Sequence, residues 1–144
     1  MKTDLKIYTS FVSPLTLKDY IEKEFLPIFI IRNIKNSTLI GGYSDTPIHM
    51  KDLAPSNELF RAKRDNLITK EEFEKKYAIE ISQVNLEKVI RTFEQLVECC
   101  GAKAIVLLGY GSSYENCHRH VLADILNNSG LLTNRINEII IWAM

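Results

Sequence analysis

The chain has 144 residues, with 18 Lys plus Arg balanced by 18 Asp plus Glu and a hydrophobic share of 46%. That length suits one domain whose core needs neither metals nor disulfides, and zero net charge removes any general electrostatic pull toward nucleic acid or an acidic membrane. The longest apolar runs are strand-length, far short of the roughly twenty residues of a bilayer span. The start, MKTDLKIYTS, has no basic region followed by an apolar one, so a cytoplasmic protein is expected. Its three cysteines, two of them adjacent, are expected as reduced thiols.

In chain order, Leu5 to Val12 mixes β-branched and aromatic residues and ends at Ser13-Pro14, which predicts a strand and a turn. Leu17, Tyr20, Ile21 and Phe25 fall at helical spacing, predicting a helix from Leu15 to Phe25. Pro27 to Ile34 is apolar until Arg32 and reads as a central strand covered on both faces. From Lys35 to Pro55 turn residues occur without a period, which predicts a binding loop or lid. Ser56 caps a predicted helix through about Asn66, and Thr69 with Glu72 forms a capping box for another through about Ile81. Both helices are charged and expected at the periphery. Leu86, Val89, Ile90, Phe93, Leu96, Val97 and Cys100 give the clearest amphipathic helix, closed by Gly101 in a left-handed cap. A strand from Lys103 to Leu108 and a helix from about Cys117 to Asn127 follow. The β-branched content of Arg135 to Ala143 favours a last strand over a helix. The alternation predicts a single α/β domain over residues 1–144, with a mostly parallel sheet of about four or five strands and helices on both faces.

In open α/β sheets ligands bind beyond the carboxyl ends of the strands. That rule gathers Tyr8, Thr9 and Ser10 from the first strand, Arg32 from the second, and residues 109–120 from the third. With Asn116 as N-cap, Cys117 to His120 form a first helical turn whose N–H groups and dipole favour an anion, held also by Arg119 or Arg32. Tyr8, Tyr110 or Tyr114 are placed to stack a base. The same field favours a Cys117 thiolate, a nucleophile with His118 or His120 as acid or base.

Each residue also has a structural reading. His118 lies on the packing face, as a core-edge histidine with one bond to backbone. His120 is four positions before Asp124 and pairs with it on the exposed face. Arg119 is either a solvated charge or the anion clamp, and Cys99 and Cys100 pack. Gly109-Tyr110-Gly111 lacks the third glycine of a dinucleotide fingerprint and the lysine of a P-loop, and Cys117 lacks the arginine spacing of a phosphatase loop. Neither metal nor cofactor is implied, because Cys99 and Cys100 form no C-x-x-C and His118-x-His120 does not share a helical face.

The stretch IVLLGYGSSYENCHRHVLADIL resembles the closing motif of the domain of unknown function 488 family, in which a strand leads through a short loop to a Cys-His-Arg sequence opening a helix. Leu53-Ala54-Pro55-Ser56 with RAKRDNLITKEEFEKKYAIEI is similar to that family's middle section, and IYTSF and IIRN to its first two strands. The resemblance implies an α/β domain with a site around Tyr8-Thr9-Ser10, Arg32 and Cys117-His118-Arg119, and brings no reaction. Where the family commonly carries Cys and Glu about the aromatic after the strand, this chain has Gly109 and Gly111, which shifts weight from catalysis to binding. The leading expectation is a pocket for an anionic, nucleotide-like small molecule or nucleic-acid end. The alternative is a thiol-dependent enzyme using Cys117, and a third reading is an interaction module with a vestigial pocket. A homo-oligomer stays open.

Overall fold

The apolar runs become strands of one parallel sheet. The computed structural model describes residues 3–11, 24–31, 48–109 and 118–138. Among these, β1 (Ile7–Phe11), β2 (Phe25–Phe29), β3 (Ile48–His49), β4 (Ala104–Gly109) and β5 (Asn137–Glu138) lie in the order β3-β2-β4-β1-β5, every pairing parallel. All six residues of the central β4 are buried, which is why its sequence, AIVLLG, is apolar without alternation. One register row runs Ile48, Ile28, Leu107, Thr9, Glu138 across the sheet, apolar at one edge and polar at the other.

Four helices accompany it among the described residues: α1 (Asn57–Arg64), α2 (Lys70–Ser82), α3 (Leu86–Cys100) and α4 (His118–Asn127). Their starts follow the local signals. The Ser56 hydroxyl accepts the Leu59 N–H, Thr69 and Glu72 close a reciprocal capping box, and Asn85 accepts from Lys88. Gly101 ends α3 at φ 67°, where a residue without Cβ meets no steric cost. Phe73, Tyr77, Ile81, Val89, Ile90, Phe93, Leu122 and Leu126 join Ile7, Ile28, Ile30, Ile105 and Leu107 in one core cluster. These strand residues share one sheet face, so α2, α3 and α4 cover that face. On the other, Phe29, Val106 and Leu108 are equally buried. A single α/β architecture with both sheet faces covered is therefore observed.

Three expectations change. The predicted first helix extends too far, because Phe25 already belongs to β2, entered through Glu24 at φ 63°. Most of that helix, residues 15–23, lies outside the described residues. Pro27 then stands inside a strand. Ile30 N–H donates toward β4, and Phe29 O accepts from Met50 on the β3 side. By two-residue alternation Pro27 also faces β3, and that strand is two residues long, so the missing N–H removes little pairing. The predicted loop over 35–55 holds β3 and a 3-10 turn, Lys51–Leu53, in its described part, with Leu53 and Ala54 buried. Residues 48–55 are thus packed structure, invisible to a periodicity search because each piece is shorter than one period.

The third change concerns α2, which is not peripheral. Phe73, Tyr77 and Ile81 bury into the core and α2 packs against α4. Its charges hide this, because only three of thirteen positions face inward. Tyr77 is 0% exposed and donates its hydroxyl to Leu53 O at 2.5 Å, tying α2 to the 3-10 turn. The last expected strand is present at Asn137–Glu138, beside β1.

Candidate functional site at the carboxyl end of the sheet

The connection leaving β1 leads to β2 on one side, while that leaving β4 leads through α4 to β5 on the other. The two leave adjacent strands in opposite directions, each passing the other's strand, at the carboxyl end where open α/β sheets bind ligands. Because α4 follows β4, its amino-terminal turn lies at this carboxyl edge.

His118 opens α4 and is buried. Its Nε2–H donates to Ile30 O at the end of β2, and its ring meets Tyr77 edge-on with centroids 5.2 Å apart. A carbonyl only accepts, so Nε2 carries a hydrogen and is the donor. The structural reading of His118 as a core-edge histidine bonded to backbone is met. His49 donates in the same way to the next carbonyl, Ile31 O. Two imidazoles therefore hold consecutive carbonyls immediately before Arg32.

Arg119 is 0% exposed, so it is not a solvated charge. Its Nη2 donates to Glu138 Oε2 at 2.8 Å, and its Nε lies 3.1 Å from Oε1 and 3.3 Å from Oε2. Thr9 Oγ1 donates to the same Oε1 at 2.6 Å. Thr9 and Glu138 are direct register partners, so their side chains emerge on one face, toward α4. A carboxylate with this many donors is a fixed strut joining β5, β1 and α4. It also balances the charge of the Arg119 guanidinium.

His120 follows, half-buried. Burial holds its imidazole below the ordinary histidine range; Glu138 acts against that shift, Arg119 adds to it, and Asp124 and Glu74 oppose it more weakly. The predicted partner Asp124 is therefore one of several charges acting on a ring that is not fully exposed.

Thr9, Arg119 and His120 thus gather about Glu138, with His118 fastened to the end of β2. Tyr8 and Ser10 alternate onto the opposite face, where the Tyr8 ring stacks on Phe25 at 5.6 Å and Ser10 is buried. They do not join the cluster. Cys117, Arg32 and Tyr110, with Tyr114 and Asn116, lie outside the described residues. Glu138 and His49 were not singled out from sequence. The signal for Glu138 was a single acid in an isoleucine-rich strand, where a buried-side carboxylate requires a cation.

Among the described residues no group of three or more His, Cys, Asp or Glu is arranged to hold a metal ion. Cys99 and Cys100 are exposed rather than packed. Val89, Ile90 and Phe93 bury the first half of α3, but Leu96 and Val97 are only partly covered, so the last turn stands clear of the core.

A family model, DUF488-N3a, described as the active DUF488-N3 subclade, matches residues 30–130, more than half of the chain. No curated protein and no solved structure matches it.

Proposed function

The chain belongs to the DUF488 family, and on that premise we propose that it binds an anionic, nucleotide-like small molecule or a nucleic-acid end beyond the carboxyl ends of its strands. One observation carries this reading: the first turn of α4 is fastened on both sides, by His118 to the end of β2 and by Arg119 to Glu138 of β5. A helix start held in this way keeps its N–H groups and positive dipole end directed at the rim, at no ordering cost when an anion arrives. Arg119 is then a positioning residue, and Arg32, next after the carbonyl held by His49, is the cation left to meet the ligand. Tyr110 supplies the stacking ring. The test is a thermal-shift screen with nucleoside mono-, di- and triphosphates. A bound ligand at 100 times its Kd stabilises by about 2.7 kcal/mol, and Arg32→Gln should remove most of that gain. No stabilisation by any phosphorylated ligand overturns the reading.

A second reading, thiol chemistry at Cys117, has its own support. His118, whose ring is fixed by its Nε2–H bond to Ile30 O, is the residue that follows Cys117, and the matched subclade is described as active. Iodoacetamide labelling of Cys117 against pH, in a Cys99→Ser/Cys100→Ser background, separates the two. A midpoint well below the ordinary thiol value of about 8.5 supports a nucleophile; an ordinary midpoint or no labelling removes it. Both readings place the chain in the cytoplasm, where exposed adjacent thiols persist in reduced form. Among the described residues no helix is long and apolar enough to cross a membrane.

A further inference from the structure

At the opposite, amino-terminal end of the sheet lies a concavity of about 220 Å³, lined by Lys6, Ile7, Tyr8, Asn134, Arg135 and Asn137. Among the described residues its wall holds two cations and no carboxylate. Neither Lys6 nor Arg135 belongs to an ion pair among the described residues, in contrast to Lys70, Lys103 and Arg119. The two amides are oriented by backbone. Asn134 Nδ2 donates to Asp4 O at 2.8 Å and Asn137 Nδ2 to Arg135 O at 3.4 Å. Each amide nitrogen carries a second N–H. Tyr8 and Asn137 are register partners, and stacking on Phe25 fixes the Tyr8 ring at the pocket's side.

We propose that this concavity binds a phosphate group, as the free ion or a small monoester. Lys6 acts as a point charge, Arg135 offers a two-pronged donor set, and the amides of Asn134 and Asn137 complete the donors. The volume is below the range of about 300–1,000 Å³ for pockets that enclose a drug-sized ligand, so the site takes the phosphate and a short attached fragment rather than a whole nucleotide. It stands independently of the α4 rim. The concavity ends at the Tyr8–Asn137 row, while the Thr9-Glu138-Arg119 cluster starts at the next row with its side chains on the other face, so the two share no residue.

The experiment is an amide NMR titration of the full chain with inorganic phosphate and, in a separate arm, glycerol phosphate, at ionic strength held constant with chloride. Saturable shifts centred on Lys6 to Tyr8 and Asn134 to Asn137 are expected, and the tighter arm identifies free ion or monoester as the source. Lys6→Gln/Arg135→Gln should weaken binding at least about tenfold. Both side chains are exposed, so the variant's remaining amide spectrum should match that of the parent. Linear shifts without saturation, equal affinity in the double variant, or shifts confined to the first turn of α4 would each overturn the proposal.

Discussion

Arg119 and Glu138, nineteen positions apart in sequence, form a two-pronged ion pair in which the arginine has no exposed surface and the glutamate side chain keeps 20%. Removing one member leaves the other charge buried without its counterpart, which costs about 3–5 kcal/mol. Glu138→Ala should therefore lower unfolding stability in urea by that amount. The apolar pair Arg119→Met/Glu138→Leu should recover much of the loss, because it deletes the desolvation cost along with the attraction. A Glu138→Ala protein as stable as the parent would mean that the strut does not hold α4 to the sheet.

Tyr77 makes a second testable link. Its hydroxyl is the group that joins the buried Leu53 carbonyl to α2. Tyr77→Phe keeps the ring contacts with Phe73 and His118 but strands that carbonyl, for a loss of about 1–2 kcal/mol. Ile79, on the same helix and 65% exposed, supplies the comparison, since Ile79→Ala should change stability by less than about 0.5 kcal/mol. Equal melting temperatures for the two variants would show that the 48–55 segment is not anchored through Tyr77.

The contrast between these residues explains what was legible in the sequence. Ser56, Thr69, Glu72 and Gly101 act within a few positions of themselves, so spacing alone placed three helices correctly. The β-branched tail pointed to a strand, and Glu138 lies in β5. What sequence could not show is long-range pairing. The burial of Arg119 against Glu138 was not legible, because the partner lies on a strand nineteen positions further along the chain. His49 sat in a stretch without periodicity, although it holds Ile31 O eighteen positions away. Tyr8 and Thr9 were grouped because they are adjacent, yet a strand sends neighbours to opposite faces. The carboxyl-end rule therefore gathered residues from two faces of the sheet.

His120 gives the site a pH response. Its folded-state pKa is depressed, chiefly by burial, so the unfolded chain binds this proton more readily than the folded one. Its contribution to stability is fully present above the unfolded value of about 6.5 and declines as pH falls through that value toward the lower folded one. His120→Gln should flatten this part of the stability profile between pH 7.5 and about 5. Direct NMR titration should place the His120 midpoint below the ordinary range. Glu138→Gln should push it lower, because Glu138 supports the charged ring. A midpoint at or above the ordinary value, or one indifferent to Glu138, contradicts the assigned cause.

Cys99 and Cys100 decide whether thiol measurements on this protein report on Cys117 at all. Both are exposed at the last turn of α3, beyond the residues that bury the helix. Iodoacetamide should therefore label both in the native protein without denaturant, as read by mass spectrometry of peptides covering residues 99–100. Cys99→Ser/Cys100→Ser should alter stability by no more than about 0.5 kcal/mol, as expected for surface positions away from caps and core contacts. Any remaining native-state labelling then belongs to Cys117, and its dependence on pH separates a helix-start thiolate from an ordinary thiol. Protection of Cys99 and Cys100 in the native protein would instead mean that the end of α3 is covered, and a partner or second copy would become the first thing to look for there.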